Sequence, residues 1–167
     1  MINKNSNNVF KKGFSLVEIL VGASIISLSL IFIINLETGI SKIGFNSVHS
    51  VQAGMLVEEG VAAIINLRNV SWQNIVALDN NLSYRLFWDQ GDGLWKTTTY
   101  ANLIDSKFDR TVTFYPVYRD ASTFNVVTSG GVLDLGTRKF VVSVTWNDSN
   151  GTSTKTATSY VHNIFNK

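Results

Sequence analysis

FSLVEILVGASIISLSLIFIINL, residues Phe14 to Leu36, is the stretch that decides how this chain is organised. As a helix of about 23 residues it would extend roughly 34 Å, at ~1.5 Å per residue, against ~30 Å of bilayer hydrocarbon. It therefore reads as a transmembrane helix. Met1 to Gly13, before it, is polar, carries Lys4, Lys11 and Lys12, and contains no acid; after it, Glu37 and Lys42 cancel. Basic flanks stay on the cytoplasmic side, so the N-terminus is expected inside and the remainder exported. Two plainer readings compete. A secretory signal peptide has an apolar core of ~7–15 residues and a small-x-small cleavage site after it. This run is longer, and only Gly39-Ile40-Ser41 offers such a site, poorly. An uncut signal anchor is the other rival, and it needs nothing special at Gly13 or Glu18.

Glu18 is out of keeping with its surroundings. A carboxylate this close to the start of a membrane helix costs about 2–3 kcal/mol unless it is paired or lies near the interface. Either it snorkels to the headgroups or it meets a cation. No Lys or Arg occurs between Phe14 and Leu36 to provide one.

Lys11-Lys12-Gly13-Phe14-Ser15-Leu16-Val17-Glu18, leading into the apolar run, resembles the N-terminal junction of type IV prepilins and type II secretion pseudopilins. That junction is a basic stretch, Gly, Phe, Thr or Ser, Leu, Ile or Val, and Glu, followed by an apolar helix. The resemblance implies cutting between Gly13 and Phe14 by a prepilin peptidase, and N-methylation of Phe14 by the same enzyme. It implies that Glu18 pairs with the Phe14 amine of a neighbouring subunit. The implied partners are other pilin or pseudopilin subunits, an inner-membrane assembly platform and membrane lipid. The implied function is that of a structural subunit of a type IV pilus, a competence pilus or a secretion pseudopilus, held first in the inner membrane and then drawn into a fibre. A buried carboxylate is tolerable when a cation neutralises it, and methylation keeps the amine charged. One departure stands out. Many family members carry a helix-kinking Pro near the membrane exit, where this chain has Asn35, Gly39 and Gly44. A bend or local melting is expected there, since Gly weakens a helix interior by ~1 kcal/mol relative to Ala. Gln52 to Gly60 resembles the corresponding helix of minor pilins of the PilV type and of minor pseudopilins, which leans the reading towards a minor subunit.

Helical patterning continues beyond the membrane run. Ala53, Leu56, Val57, Gly60, Val61, Ile64 and Leu67 share one face, with Glu58, Glu59 and Asn66 off it. Such a stripe is a packing surface. After Asn69 the texture changes to short alternating runs. Tyr84, Leu86 and Trp88 share a face, and Asp89 to Gly93 turns the chain towards Leu94 to Tyr100. Val112, Phe114, Pro116 and Tyr118 share another; Pro116, which cannot donate to a ladder, suggests an edge strand or a break. Phe124 to Thr128 and Val132 to Leu135 flank Ser129-Gly130-Gly131 as a hairpin. The clearest strand is Lys139 to Trp146, with Phe140, Val142, Val144 and Trp146 on one side. Asn147 to Gly151 supplies turn residues before the Thr-rich run Thr152 to Val161, a composition suited to a half-exposed pleat. The expected fold class is α+β: a long N-terminal helix, half transmembrane and half amphipathic, with the amphipathic half packed on an antiparallel sheet. The expected divisions are a leader at 1–13, a membrane and assembly helix at 14–36, its amphipathic continuation at 37–67 and a β-rich head at 68–167.

Composition narrows the chemistry. The chain has 167 residues, 45% of them hydrophobic, and a net charge of +2. That size suits one head domain with an attached segment. No basic cluster beyond Lys11-Lys12 argues for nucleic acid. With no cysteine, disulfides, thiol catalysis and thiolate metal sites are excluded. His49 and His162 lie in no motif, so neither a zinc site nor a catalytic set is expected, and no enzyme or cofactor is read here. Asp89 and Asp92 could offer oxygens to Ca²⁺, although Asp and Gly also form turns for backbone reasons alone. Trp72, Trp88, Trp95 and Trp146 are read as packing residues rather than a ligand patch. Asn69, Asn81, Asn147 and Asn150 each begin an N-x-[ST] sequence and are assigned no role. The rival from another class is an uncut bitopic membrane protein with an exported β-rich ligand-binding domain; a third reading is a secreted enzyme.

Overall fold

The computed structural model describes residues 13–148 and 151–165. Lys4, Lys11 and Lys12 of the expected leader, and Ser149 and Asn150 of the expected turn, lie outside the described residues. The elements are α1 (Leu16–Val70), α2 (Gln73–Val76), β1 (Ser83–Asp89), β2 (Leu94–Thr98), β3 (Asp109–Arg119), β4 (Val126–Val127), β5 (Val132–Asp148) and β6 (Gly151–His162). The fold is α+β, a long N-terminal helix followed by a six-stranded antiparallel sheet. The chain divides into two compact units, Met1–Gly44 and Phe45–Lys167.

In the first unit α1 is apolar and bare. Leu20, Ile26, Ile31, Phe32 and Leu36 are all more than half exposed, and none of the span is buried within the chain. The helix is long and apolar enough to cross a membrane once. The hydroxyls of its apolar run are already satisfied: Ser24 donates to the Val21 carbonyl, Ser27 to Ala23 and Ser29 to Ile25, each at 2.8 Å. A hydroxyl bonded to its own preceding turn enters hydrocarbon without an unpaired donor. The expected melting near Asn35, Gly39 and Gly44 does not occur, because the helix is continuous through all three. Thr38 Oγ1 also donates to the Asn35 carbonyl at 2.9 Å. Losses of ~1 kcal/mol at isolated glycines do not break a cooperative helix that extends on both sides.

In the second unit the remainder of α1 lies on the sheet. Ala53, Val57, Gly60, Ala63, Ile64 and Leu67 are buried there, matching the apolar stripe, with Leu56 and Val61 half-buried at its edge. Small residues bring the helix close: a Cβ added at Gly60 would stand 2.7 Å from Val142 Cγ1. The strand order is β2-β1-β3-β5-β6, with β4 beside β3. The inner face carries Tyr84, Leu86, Val112, Phe114, Phe140, Val142, Val144 and Trp146, all in one core with Ile75 and Phe108. The alternation expected over Lys139 to Trp146 is present in β5, which pairs with β6 along twelve positions from Thr137↔His162 to Asp148↔Gly151.

Three local expectations change, at Tyr118, at Ser129-Gly130-Gly131 and at Trp88. Of the two readings of Pro116, an edge strand or a break, the second holds: it lies in a central strand whose register against β5 shifts between Pro116 and Tyr118. That shift returns Val117 to the core, 2% exposed, and turns Tyr118 out, so Tyr118 leaves the face of Val112 and Phe114. The missing N–H of proline is accommodated where the ladder is already interrupted. Ser129-Gly130-Gly131 is not a hairpin turn: β4 and the start of β5 both pair with β3, at Tyr118↔Val127 and Tyr118↔Leu133. The segment instead crosses the end of β3 from one side to the other. It passes so close that a Cβ on Gly131 would meet the Arg119 carbonyl oxygen at 2.7 Å. Trp88 shares the parity of Tyr84 and Leu86 yet is half exposed, edge-on to Trp95 at 5.8 Å.

Candidate functional site

The residues singled out for processing and assembly sit together at the start of α1. Gly13, Phe14 and Ser15 are non-helical and exposed, and Phe14 has 80% of its surface free. An exposed, irregular segment before a helix can enter a protease cleft in extended form. Glu18 lies in the first turn of α1, where a negative charge complements the unpaired N–H groups. Ile19 N–H reaches back to the Ser15 carbonyl at 3.2 Å, closing that first turn. Leu16, Val17, Ile19 and Leu20 surround Glu18 with exposed apolar surface. Glu18 forms no ion pair with any described residue. In the uncut chain the Phe14 nitrogen is an amide, so a cation at that position requires the Gly13–Phe14 bond to be broken.

The head holds the polar groups that sequence reading passed over. Arg110 and Arg138 are buried, 4% and 8% exposed. Arg110 pairs with Glu59 of α1, donates to the Leu86 carbonyl at 3.3 Å, and lies 5.2 Å from the centre of the Trp95 ring. It joins helix to sheet. Arg138 donates to the Ile75 and Leu78 carbonyls at 2.7 and 2.6 Å and to Asn80 Oδ1. It thereby caps α2 and fixes the segment entering β1, and burial pulls its guanidinium below the usual range. A signal was present: Arg110 and Arg138 each precede by two residues the buried Val112 and Phe140, so strand alternation puts them on the inner face.

The remaining candidates resolve into structural roles. Lys96 Nζ bonds Asp89 at 2.6 Å and also Asp92, so the two carboxylates of this turn already hold a cation from the chain itself. The Lys96 bond, and then the Gly91 N–H, hold the Asp89 carboxyl below its ordinary range. Among the described residues no cluster of His, Asp and Glu could hold a metal. His49 meets Lys107 Nζ at 2.6 Å and stands edge-on to Phe108, while His162 ends β6 opposite Thr137. Trp146 is in the core, Trp95 stacks on Arg110, and Trp72 packs at the core's edge. No protein-family profile, curated protein or solved structure matches this chain.

Proposed function

We propose that the chain is a structural, minor subunit of a type IV pilus, competence pilus or secretion pseudopilus. A prepilin peptidase cuts after Gly13 and methylates the new Phe14 amine. The subunit waits in the inner membrane, N-terminus cytoplasmic and head exported, until an assembly platform draws it into a fibre with other subunits. The observation that carries this reading is Glu18: a carboxylate without an ion-pair partner among the described residues, in the first turn of a bare apolar helix, five positions after a basic-Gly boundary. In a fibre, apolar helix surfaces cover one another, and the charge then needs a cation from a neighbour. The processed Phe14 amine is that cation. Gly22, Gly39 and Gly44 fit the same picture, because none is required by a contact with the described residues: an added Cβ would meet none of them within 4 Å. Small residues permit close approach of another helix in lipid.

Fractionation tests it. Sheared surface fibres should contain the chain in a form shorter than the membrane precursor. A protein that stays wholly in the membrane at full length contradicts the proposal and favours the bitopic reading.

A further inference from the structure

The register shift in β3 has a second effect, on the outer face of the sheet. Tyr115 and Tyr118 both point away from the core, with Pro116 and Val117 between them. Tyr115 stands in a cross-strand row with Lys139 of β5 and Tyr160 of β6, through the pairs Tyr115↔Lys139 and Lys139↔Tyr160. Tyr118 and Tyr160 are 39% and 49% exposed. These residues line a cleft of about 380 Å³, walled by the β4 segment up to Thr128 and by Asn81. That volume lies within the range of small-molecule sites, and bulges commonly re-aim side chains beside such sites.

The contents of the cleft define what fits it. Lys139 Nζ lies 5.7 Å from the centre of the Tyr115 ring and forms no ion pair with a described residue. An ammonium among phenol rings, without a carboxylate of its own, matches a ligand that brings one. Aromatic faces are electron-rich and attract the C–H face of a pyranose ring, while phenol and threonine hydroxyls exchange hydrogen bonds with sugar hydroxyls. The hydroxyls of the cleft itself come from Tyr115, Tyr118, Tyr160 and Thr128, and its lining holds no carboxylate. Single-stranded nucleic acid also stacks on aromatics, but it needs a track of cations along the backbone, and Lys139 is the cleft's lone cation among the described residues. We propose that this cleft is a binding site for an acidic saccharide, its ring stacked on tyrosine and its carboxylate on Lys139.

Saturation-transfer NMR on the full chain in detergent tests this, with trigalacturonate as probe, maltotriose as neutral control and a short oligothymidylate as competitor. Saturable binding of trigalacturonate is expected, with little from maltotriose. Lys139→Gln and Tyr160→Ala should each weaken it roughly tenfold, and Lys139→Arg should retain it. Both side chains lie on the outer face, so unchanged circular dichroism will confirm an intact head. No saturable binding, equal binding of maltotriose, displacement by oligothymidylate at lower concentration, or full binding by Lys139→Gln would each overturn the proposal.

Discussion

Gly60 of α1 and Val142 of β5 meet so closely that there is no room between them for one methyl group: an added Cβ would lie 2.7 Å from Val142 Cγ1 and 3.3 Å from Arg110 Cδ. Two effects oppose each other in Gly60→Ala. Helix propensity favours alanine by ~1 kcal/mol, while overpacking a closed core costs about 1–3 kcal/mol. Val142 is fully buried and cannot swing aside, so overpacking wins. Thermal unfolding of the Phe45–Lys167 unit should show a lower Tm for Gly60→Ala. A Tm equal to or above wild type would mean that helix and sheet are less tightly joined than described.

Arg110 and Glu59 should contribute unequally. Glu59 is 48% exposed, so water can replace it at the guanidinium, and Glu59→Ala should cost about 1 kcal/mol. Arg110→Ala removes the donor to the Leu86 carbonyl and the stack on Trp95 as well as the charge, and should cost about 3 kcal/mol. Urea unfolding of both variants measures the difference. Equal losses would place the stabilisation in the ion pair itself.

Much of this architecture was readable and some was not, for identifiable reasons. The long apolar run of α1 is a signal of composition, while the apolar stripe from Ala53 to Leu67 and the alternation of Phe140, Val142, Val144 and Trp146 are periodic signals, and all three survive folding. Arg110 and Arg138 were missed because arginine reads as surface unless strand parity is followed through it. Tyr118 and Val117 exchange faces because a register shift at Pro116 breaks the period, and a period cannot announce its own interruption. The crossing at Ser129-Gly130-Gly131 looks like a hairpin because both events need small turn residues. Of the candidate site, Glu18 stood out by its cost in an apolar run, whereas the tyrosine cleft depends on strand register that no local pattern contains.

Acid should loosen the loop between β3 and β4 before the core. Hydrogen bonds from the Ser122 hydroxyl, the Thr123 and Ser122 amides and the Thr123 hydroxyl hold the Asp120 carboxyl far below its ordinary range. Burial raises that of Asp134, but bonds from Arg119, Thr137 and the Gly136 amide outweigh it and the net shift is down. Groups depressed in the folded state stabilise it above the unfolded value of ~4, and that contribution fades as pH falls further. The difference in Tm between wild type and Asp120→Ala should therefore be constant from pH 7 to about pH 5 and shrink below ~4. A difference that does not change with pH would remove the carboxylate's charge from the account.

Glu18→Val should separate insertion from assembly. Near the interface Glu18 can be solvated by headgroups, so its loss leaves membrane insertion and leader removal largely intact. Under the proposed pairing with a neighbouring subunit's Phe14 amine, the variant should be depleted from sheared fibres relative to the membrane pool. Ser15→Ala, which changes neither charge nor helix continuity, should assemble normally. Wild-type amounts of Glu18→Val in the fibres would assign Glu18 to snorkelling alone.

The central claim is that the Gly13–Phe14 bond is cut and its new amine is what Glu18 meets. Intact-mass measurement on protein extracted from its native membrane reads this directly. The expected mass is that of the chain without Met1 to Gly13, plus one methyl group on Phe14, with Gly13 replaced by a bulky residue leaving the precursor whole. A mature protein that begins at Met1, or one that begins beyond Leu36, contradicts the account.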